Sequence, residues 1–170
     1  DLGLPSGLKW RNCNLGTKSP LEAGSRYAWG QINGHVWNDG HSFDANTYAE
    51  TPAALIDSDL TPPEDVATVQ LGEPCRMPSQ ADFVELFENT NVVYTSVQGI
   101  NGLMCTSPVN GNSIFLPVTG VWVENNLTVA NANGYYLALG RRTTENTVGY
   151  ASQYLRIVAL CVPFLIVSNS

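Results

Sequence analysis

His35, Asp39, His41 and Asp44 fall within one short stretch, and two imidazoles with a carboxylate are a donor set that a divalent metal can use. Their spacing follows no recognised ligand pattern. The surrounding text from Gly34 to Asp59 is rich in Asn, Asp, Gly and Thr, which reads as a long surface loop. A solvated, hydrogen-bonded loop is the stronger reading, and no metal is expected. Cys13, Cys75, Cys105 and Cys161 are too widely spaced for a zinc site of the paired-cysteine kind. Two disulfides in any connectivity, or free thiols, both remain open. No serine sits in a Gly-x-Ser-x-Gly elbow, and the second half lacks a pair of carboxylates for acid–base work. Asn126 in "NLT" matches a glycosylation acceptor, but a single match carries little weight. No catalytic residue and no cofactor is therefore expected.

The charge distribution narrows the partners. Thirteen of the fifteen acids lie between Asp1 and Glu88, and beyond them only Arg141, Arg142 and Arg156 are basic. Binding to nucleic acid needs clustered Lys and Arg to neutralise phosphates, so it is not expected. A polybasic membrane patch is missing for the same reason. The whole chain of 170 residues fits one domain. Charged residues make up only 14% of it, so much of its polar surface comes from Asn, Ser, Thr and Gly. Its opening "DLGLPSGLKW" has neither a charged n-region nor an apolar h-region, and without an initiator Met the chain reads as a piece of a longer protein.

The elements that must position any site divide at Asn89. "DLGLPSGLKW" reads as a strand, a Pro-Ser-Gly turn and a second strand. Ser19-Pro20 with Glu22 predicts a helix start that Gly30 ends, and Thr61-Pro62 with Glu64 predicts another. "PSQADFVELFENT" predicts a helix capped by Ser79 with Asp82 as the reciprocal acid. Its apolar stripe is Phe83, Leu86 and Phe87, and Asn89 closes it. After Asn89, "VVYTSV", "GLMCTS", "SIFLPVTGVWV" and "GYYLALG" are short β-rich runs parted by "NG", "NGN", "NN" and "NANG". The expectation is an α+β fold with a mostly antiparallel sheet. Trp10, Trp29, Phe83, Phe87 and Phe115 are its expected core aromatics.

The run "LRIVALCVPFLIV" from Leu155 to Val167 is apolar apart from Arg156. Spanning a bilayer takes roughly 18 or more such residues, and Pro163 interrupts this run, so membrane insertion is not expected. Two readings stay open: Ile157, Leu160, Val162 and Leu165 as buried strand residues, or part of the run as an exposed binding face.

"CRMPSQADFVELF" (Cys75–Phe87) resembles the helix entry of the formylglycine-generating enzyme and sulfatase-modifying-factor superfamily. "DLGLPSGLKWRNCNLG", "EAGSRYAWG", "NGNSIFLPVTG" and "NGYYL" are similar, in order and spacing, to the Fibrobacter succinogenes major paralogous domain family. The likeness runs from about Asp1 to Tyr136. It implies a C-type-lectin-like fold, with two or three helices packed on small twisted antiparallel sheets. "WND" at Trp37–Asp39 resembles a calcium-binding triplet of sugar-binding C-type lectins, but it stands in the wrong half of the chain and has no upstream carboxylate-proline partner. Enzymes of the superfamily use a cysteine pair, or copper held by it, in the C-terminal half. Cys105 and Cys161 do not match that spacing.

After Tyr136 the chain departs from the family. The final Gly-Phe-Ser-Val-Arg strand is missing or replaced, which leaves closure of the sheet open. A family-like scaffold followed by a patternless C-terminal stretch resembles the variable proteins of diversity-generating retroelements. That resemblance implies a scaffold (1–136) carrying a display region (137–170). The implied ligand-binding residues are Leu137, Leu139, Arg141, Arg142, Glu145, Gln153, Tyr154, Arg156, Leu160, Val162 and Phe164. It further implies a protein or glycan receptor on another cell, and a place on a phage tail or a bacterial surface. Homo-oligomers, trimeric in a fibre, fit the same picture. The alternatives are an enzyme related to formylglycine generation and a structural module of a surface or virion fibre.

Overall fold

The structure is a computed structural model that describes residues 1–28, 30–34, 59–118, 121–123, 126–128, 134–139, 155–157, 160–163 and 166–167. Trp29, the His35–Asp44 cluster with its "WND" triplet, and Leu165 lie outside these residues.

Strand β1 (Lys9–Trp10) and β2 (Tyr27–Ala28) precede helix α1 (Val66–Leu71). Strand β3 (Cys75–Arg76) then leads into helix α2 (Gln80–Glu88). The second half is strand-rich: β4 (Asn91–Val97), β5 (Ile100–Thr106), β6 (Ser113–Pro117), β7 (Val121–Val123), β8 (Asn126–Thr128) and β9 (Gly134–Leu137). The apolar run supplies β10 (Leu155–Ile157), β11 (Leu160–Pro163) and β12 (Ile166–Val167). The fold is α+β, as expected.

Helix α2 forms where its local chemistry dictates. The Ser79 hydroxyl accepts from the Asp82 N–H, and the Asp82 carboxylate accepts from the Ser79 N–H, so two orphan donors are satisfied reciprocally. Asn89 closes the helix, its N–H donating to the Glu85 carbonyl. The stripe of Phe83, Leu86 and Phe87 is buried, and Phe83 meets Trp10 edge-to-face with ring centroids 5.3 Å apart. Leu2, Leu4, Leu103, Cys105, Ile114, Leu116 and Tyr136 complete this core. Phe115 is also buried. The Glu85 carboxylate accepts from the Ser6 N–H and hydroxyl, which ties the turn at Pro5 to the helix.

Two expected helix starts are corrected. Ser19–Glu22 forms a turn and no helix. The Asn14 side-chain amide donates to the carbonyls of Glu22 and Ala23, which a helix would need as acceptors. The Glu22 carboxylate is engaged by the Thr17 hydroxyl instead of closing a box on Ser19. Further on, Thr61–Glu64 makes an isolated turn, in which Glu64 accepts from the Thr61 N–H. Helix α1 begins four residues later than Pro62, with Asp65 as its cap. The buried Asp65 carboxylate accepts from the Ala67 N–H, the Thr68 hydroxyl and the Met77 N–H, and that set of bonds decides the start.

The β4–β5 turn is also displaced from its expected place. Gln98 (φ 51°) and Gly99 (φ 82°) make the two-residue loop, and Asn101-Gly102 lies inside β5. Gly102 is needed there for a different reason. A Cβ on it would lie 2.5 Å from both the Leu116 carbonyl oxygen and the Phe115 ring.

Pairing is antiparallel for β1/β12, β12/β3, β11/β2, β4/β5, β5/β6 and β7/β8. Strand β9 is parallel to both of its neighbours, β10 and β11. The sheet orders are β1-β12-β3, β10-β9-β11-β2, β4-β5-β6 and β7-β8. The terminal strand that the sequence left open is thus occupied by Ile166–Val167, which lies between the N-terminal strand β1 and β3.

Because Phe83 is fully buried against Trp10, Phe87 and Tyr136, its replacement by Ala is expected to cost ~3–5 kcal/mol. Urea denaturation measures this, and an unmoved midpoint would remove Phe83 from the core.

Candidate functional site

Each strand that pairs with the apolar run carries a residue anchored by the rest of the chain. In β1, Trp10 packs on Phe83 and pairs with Ile166. In β2, Tyr27 is 2% exposed, accepts a hydrogen bond from the Gln70 amide at 3.2 Å and pairs with Cys161. In β3, Arg76 pairs with Ile166 from the other side. In β9, Tyr136 is 0% exposed, donates its hydroxyl to the Pro117 carbonyl at 2.6 Å and pairs with Ile157 and Val162. The run is therefore held by main-chain ladders to strands whose own register is set elsewhere.

Four expected ligand-binding residues stand in this frame. Leu137 ends β9, Arg156 lies in β10 opposite Tyr135, and Leu160 and Val162 lie in β11 opposite Ala28 and Tyr136. Strand β11 has a neighbour on each side, as does β12. The strand half of the buried-strand reading thus holds for Ile157, Leu160 and Val162. Arg141, Arg142, Glu145, Gln153, Tyr154 and Phe164 lie outside the described residues. No helix among the described residues is long and apolar enough to cross a membrane.

Leu139 is strapped in place. Its N–H donates to the Pro78 carbonyl and its carbonyl accepts from the Leu60 N–H. It lines a cleft of about 300 Å³ with Leu60, Pro62, Asp65, Glu73, Cys75 and Arg76. That size is at the low end for small-molecule sites. The chemistry of the cleft is mostly committed to structure. Asp65 already accepts three hydrogen bonds, and Arg76 donates through both terminal nitrogens to Asp82, at 2.7 and 3.3 Å. The cleft is a seam between α1, β3 and the segment after β9. Sequence reasoning missed it because the two backbone bonds of Leu139 join segments far apart in the chain.

The thiols answer the cysteine question in part. Cys13, Cys75 and Cys105 are free. Burial pushes the Cys105 thiol up to about 12, with a hydrogen bond from Thr90 opposing only weakly, so it is protonated near neutral pH. It sits in the β4-β5-β6 sheet, whereas Cys161 belongs to the β10-β9-β11-β2 sheet. Among the described residues no three His, Cys, Asp or Glu side chains group closely enough to hold a metal.

Comparison with protein-family models, curated proteins and solved structures returned no match.

Burial raises the Asp82 carboxyl, but bonds from Arg76 and Ser79 outweigh it, and the net value falls below the ordinary 3.8. A depressed folded value means that the stabilisation is present above about pH 4 and is lost as pH falls through that lower value. Urea melts from neutral to about pH 2 should therefore show a steeper acid loss for the parent than for Asp82→Asn. Parallel pH profiles would contradict the assignment.

Proposed function

We propose that the chain is a non-catalytic binding module of C-type-lectin-like fold. Its C-terminal region, from Leu137 to Phe164, presents a variable recognition surface to a protein or glycan on another cell, from a phage tail or a bacterial surface. One observation carries this reading: the main-chain anchoring of β10, β11 and β12 by Tyr136, Tyr27, Trp10 and Arg76. Ladder hydrogen bonds join backbone groups, so they tolerate many side chains as long as neither proline nor a packing clash intrudes. A region whose sequence must change while its fold stays constant needs this kind of support.

The positions that best suit contact are those between the strands in chain order. Arg141, Arg142, Glu145, Gln153 and Tyr154 fall between Leu139 and β10, and Phe164 falls between β11 and β12. Arginine and aromatic side chains are the usual anchors of an interface, and Asn, Ser and Thr provide an adaptable polar rim. An enzyme of the formylglycine-generating kind draws less support, since Cys105 lies in the β4-β5-β6 sheet and Cys161 in the β10-β9-β11-β2 sheet.

Replacing Arg141, Arg142, Gln153 and Phe164 together by Ser tests the display surface. Thermal melting should stay near that of the parent, since substitutions away from the core usually cost within about 0.5 kcal/mol each. Binding of the labelled protein to a panel of bacterial cells and immobilised glycans should fall at least about tenfold, from the loss of anchors. Unchanged binding, or a collapsed melt, argues against the display assignment. Variability has its own test, the sequencing of this gene across related genomes. Differences should concentrate in Leu137–Phe164, at codons that carry adenine in a template copy. Differences spread evenly along the chain would sink the retroelement reading.

A further inference from the structure

Asn-Gly pairs occur at Asn33, Asn101, Asn110 and Asn133. Such a pair has a chemistry of its own. With no Cβ to hinder it, the glycine nitrogen can reach the side-chain carbonyl of the Asn before it. The fold treats two of these pairs in opposite ways. Asn101-Gly102 is locked inside β5, where Gly102 stands opposite Thr95 on one side and Pro117 on the other. Asn110-Gly111 lies in the connection between β5 and β6, and both of its residues are exposed. A Cβ on Gly111 would meet nothing within 4 Å, so water has open access to this peptide link.

The loop also poses the Asn110 side chain. The Asn112 N–H donates to Asn110 Oδ1 at 3.0 Å. Negative charge develops on that oxygen when a nucleophile adds to the side-chain carbon, and a donor already aimed at it stabilises the transition state. The Gly111 N–H is held by one bond, to the Ser107 carbonyl at 3.1 Å, on an exposed loop where opening costs little. The Asn110 amide meanwhile has a structural task. Its Nδ2 donates to the Asp1 carbonyl at 3.3 Å, beside the Asn112 amide at 2.9 Å. With the Ser107 hydroxyl on the Leu2 carbonyl at 2.6 Å, these bonds pin Asp1 and Leu2 to the β5–β6 loop.

We propose that Asn110 is a self-modifying site, whose conversion to aspartate or isoaspartate loosens Asp1 from the β5–β6 loop. The Gly111 nitrogen bonds to Asn110 Cγ and its proton passes to solvent. The Cγ–Nδ2 bond breaks, and the nitrogen takes a proton and leaves as ammonia. Water then opens the cyclic imide at either carbonyl. Water is the sole co-reactant, and nothing is oxidised or reduced. The new carboxylate has no N–H to offer, so an acceptor faces the Asp1 carbonyl where a donor stood. In the isoaspartyl product the main chain is longer by one carbon, which also draws Gly111 away from Ser107. This inference stands apart from the recognition surface and survives if that reading fails.

Incubation of the whole chain at mildly alkaline pH, followed by peptide mapping with mass spectrometry, tests it. Asn110 should convert to Asp and isoAsp at least about tenfold faster than Asn101, whose nitrogen is freed only when its ladder opens. The Asn110→Gln variant should stay intact at that position, because its longer side chain closes a less favourable ring. Converted and unconverted protein separate by anion exchange, since conversion adds a negative charge. Amide hydrogen exchange at Gly3, whose N–H is held by the Asp1 carboxylate, should be faster in the converted protein. Conversion at Asn110 no faster than at Asn101 overturns the proposal. So does a converted protein in which exchange at Gly3 is unchanged.

Discussion

The carboxylate of Asp82 is the joint on which the rest of the architecture turns. It accepts from the Ser79 N–H and hydroxyl at the entrance of α2, and from the Arg76 guanidinium in β3. One side chain thus fixes both where the helix starts and how it sits against the short strand before it. Charge-assisted bonds in a partly buried setting are stronger than neutral ones, and here they converge on one group. The angle of α2 decides where Phe83, Leu86 and Phe87 point, and those residues meet Trp10 of β1 and Tyr136 of β9. Through Arg76 the same joint reaches β12, and through Tyr136 it reaches β10 and β11.

That arrangement settles the place of the apolar C-terminal run. It is not an appendage laid over a finished scaffold. It supplies one strand to the middle of a sheet with β1 and β3, and another between β9 and β2. Without it, β1 and β3 have no shared partner, and β9 and β2 lose their link. Pro163 ends β11 opposite Leu137 and has no N–H to give to a ladder.

What was legible in the sequence was chemistry confined to a few consecutive residues. Ser79, Asp82, Phe83, Leu86, Phe87 and Asn89 specify α2 completely, because cap, stripe and stop lie within eleven positions. The Ser19 and Thr61 signals have the same local form and mislead, because distant or buried groups outbid them. Asn14 claims the carbonyls of the first, and Met77 helps hold the cap of α1 at Asp65. At Asn101-Gly102 a strong turn dipeptide sits inside a strand, since Phe115 needs the space that a side chain would fill and Gln98-Gly99 can make the turn. The parallel pairing of β9 and the closure of β1 on β12 join residues far apart in the chain. No short-range pattern encodes such contacts. Of the expected site residues that the structure describes, Leu137, Arg156, Leu160 and Val162 stand in ladders, and Leu139 is held by backbone bonds to Pro78 and Leu60.

A division of labour between side chains and main chain follows. The first 136 residues place their bulky groups, Trp10, Tyr27, Phe83 and Tyr136, in fixed sites with defined partners, where each loss is costly. The strands beyond them are placed by backbone pairing to those anchored neighbours. A slip of one residue in such a ladder would move every side chain of the strand to the opposite face. Patternlessness after Tyr136 is therefore compatible with a single fold. Strands β1, β2, β3 and β9 hold the partners against which β10, β11 and β12 are registered.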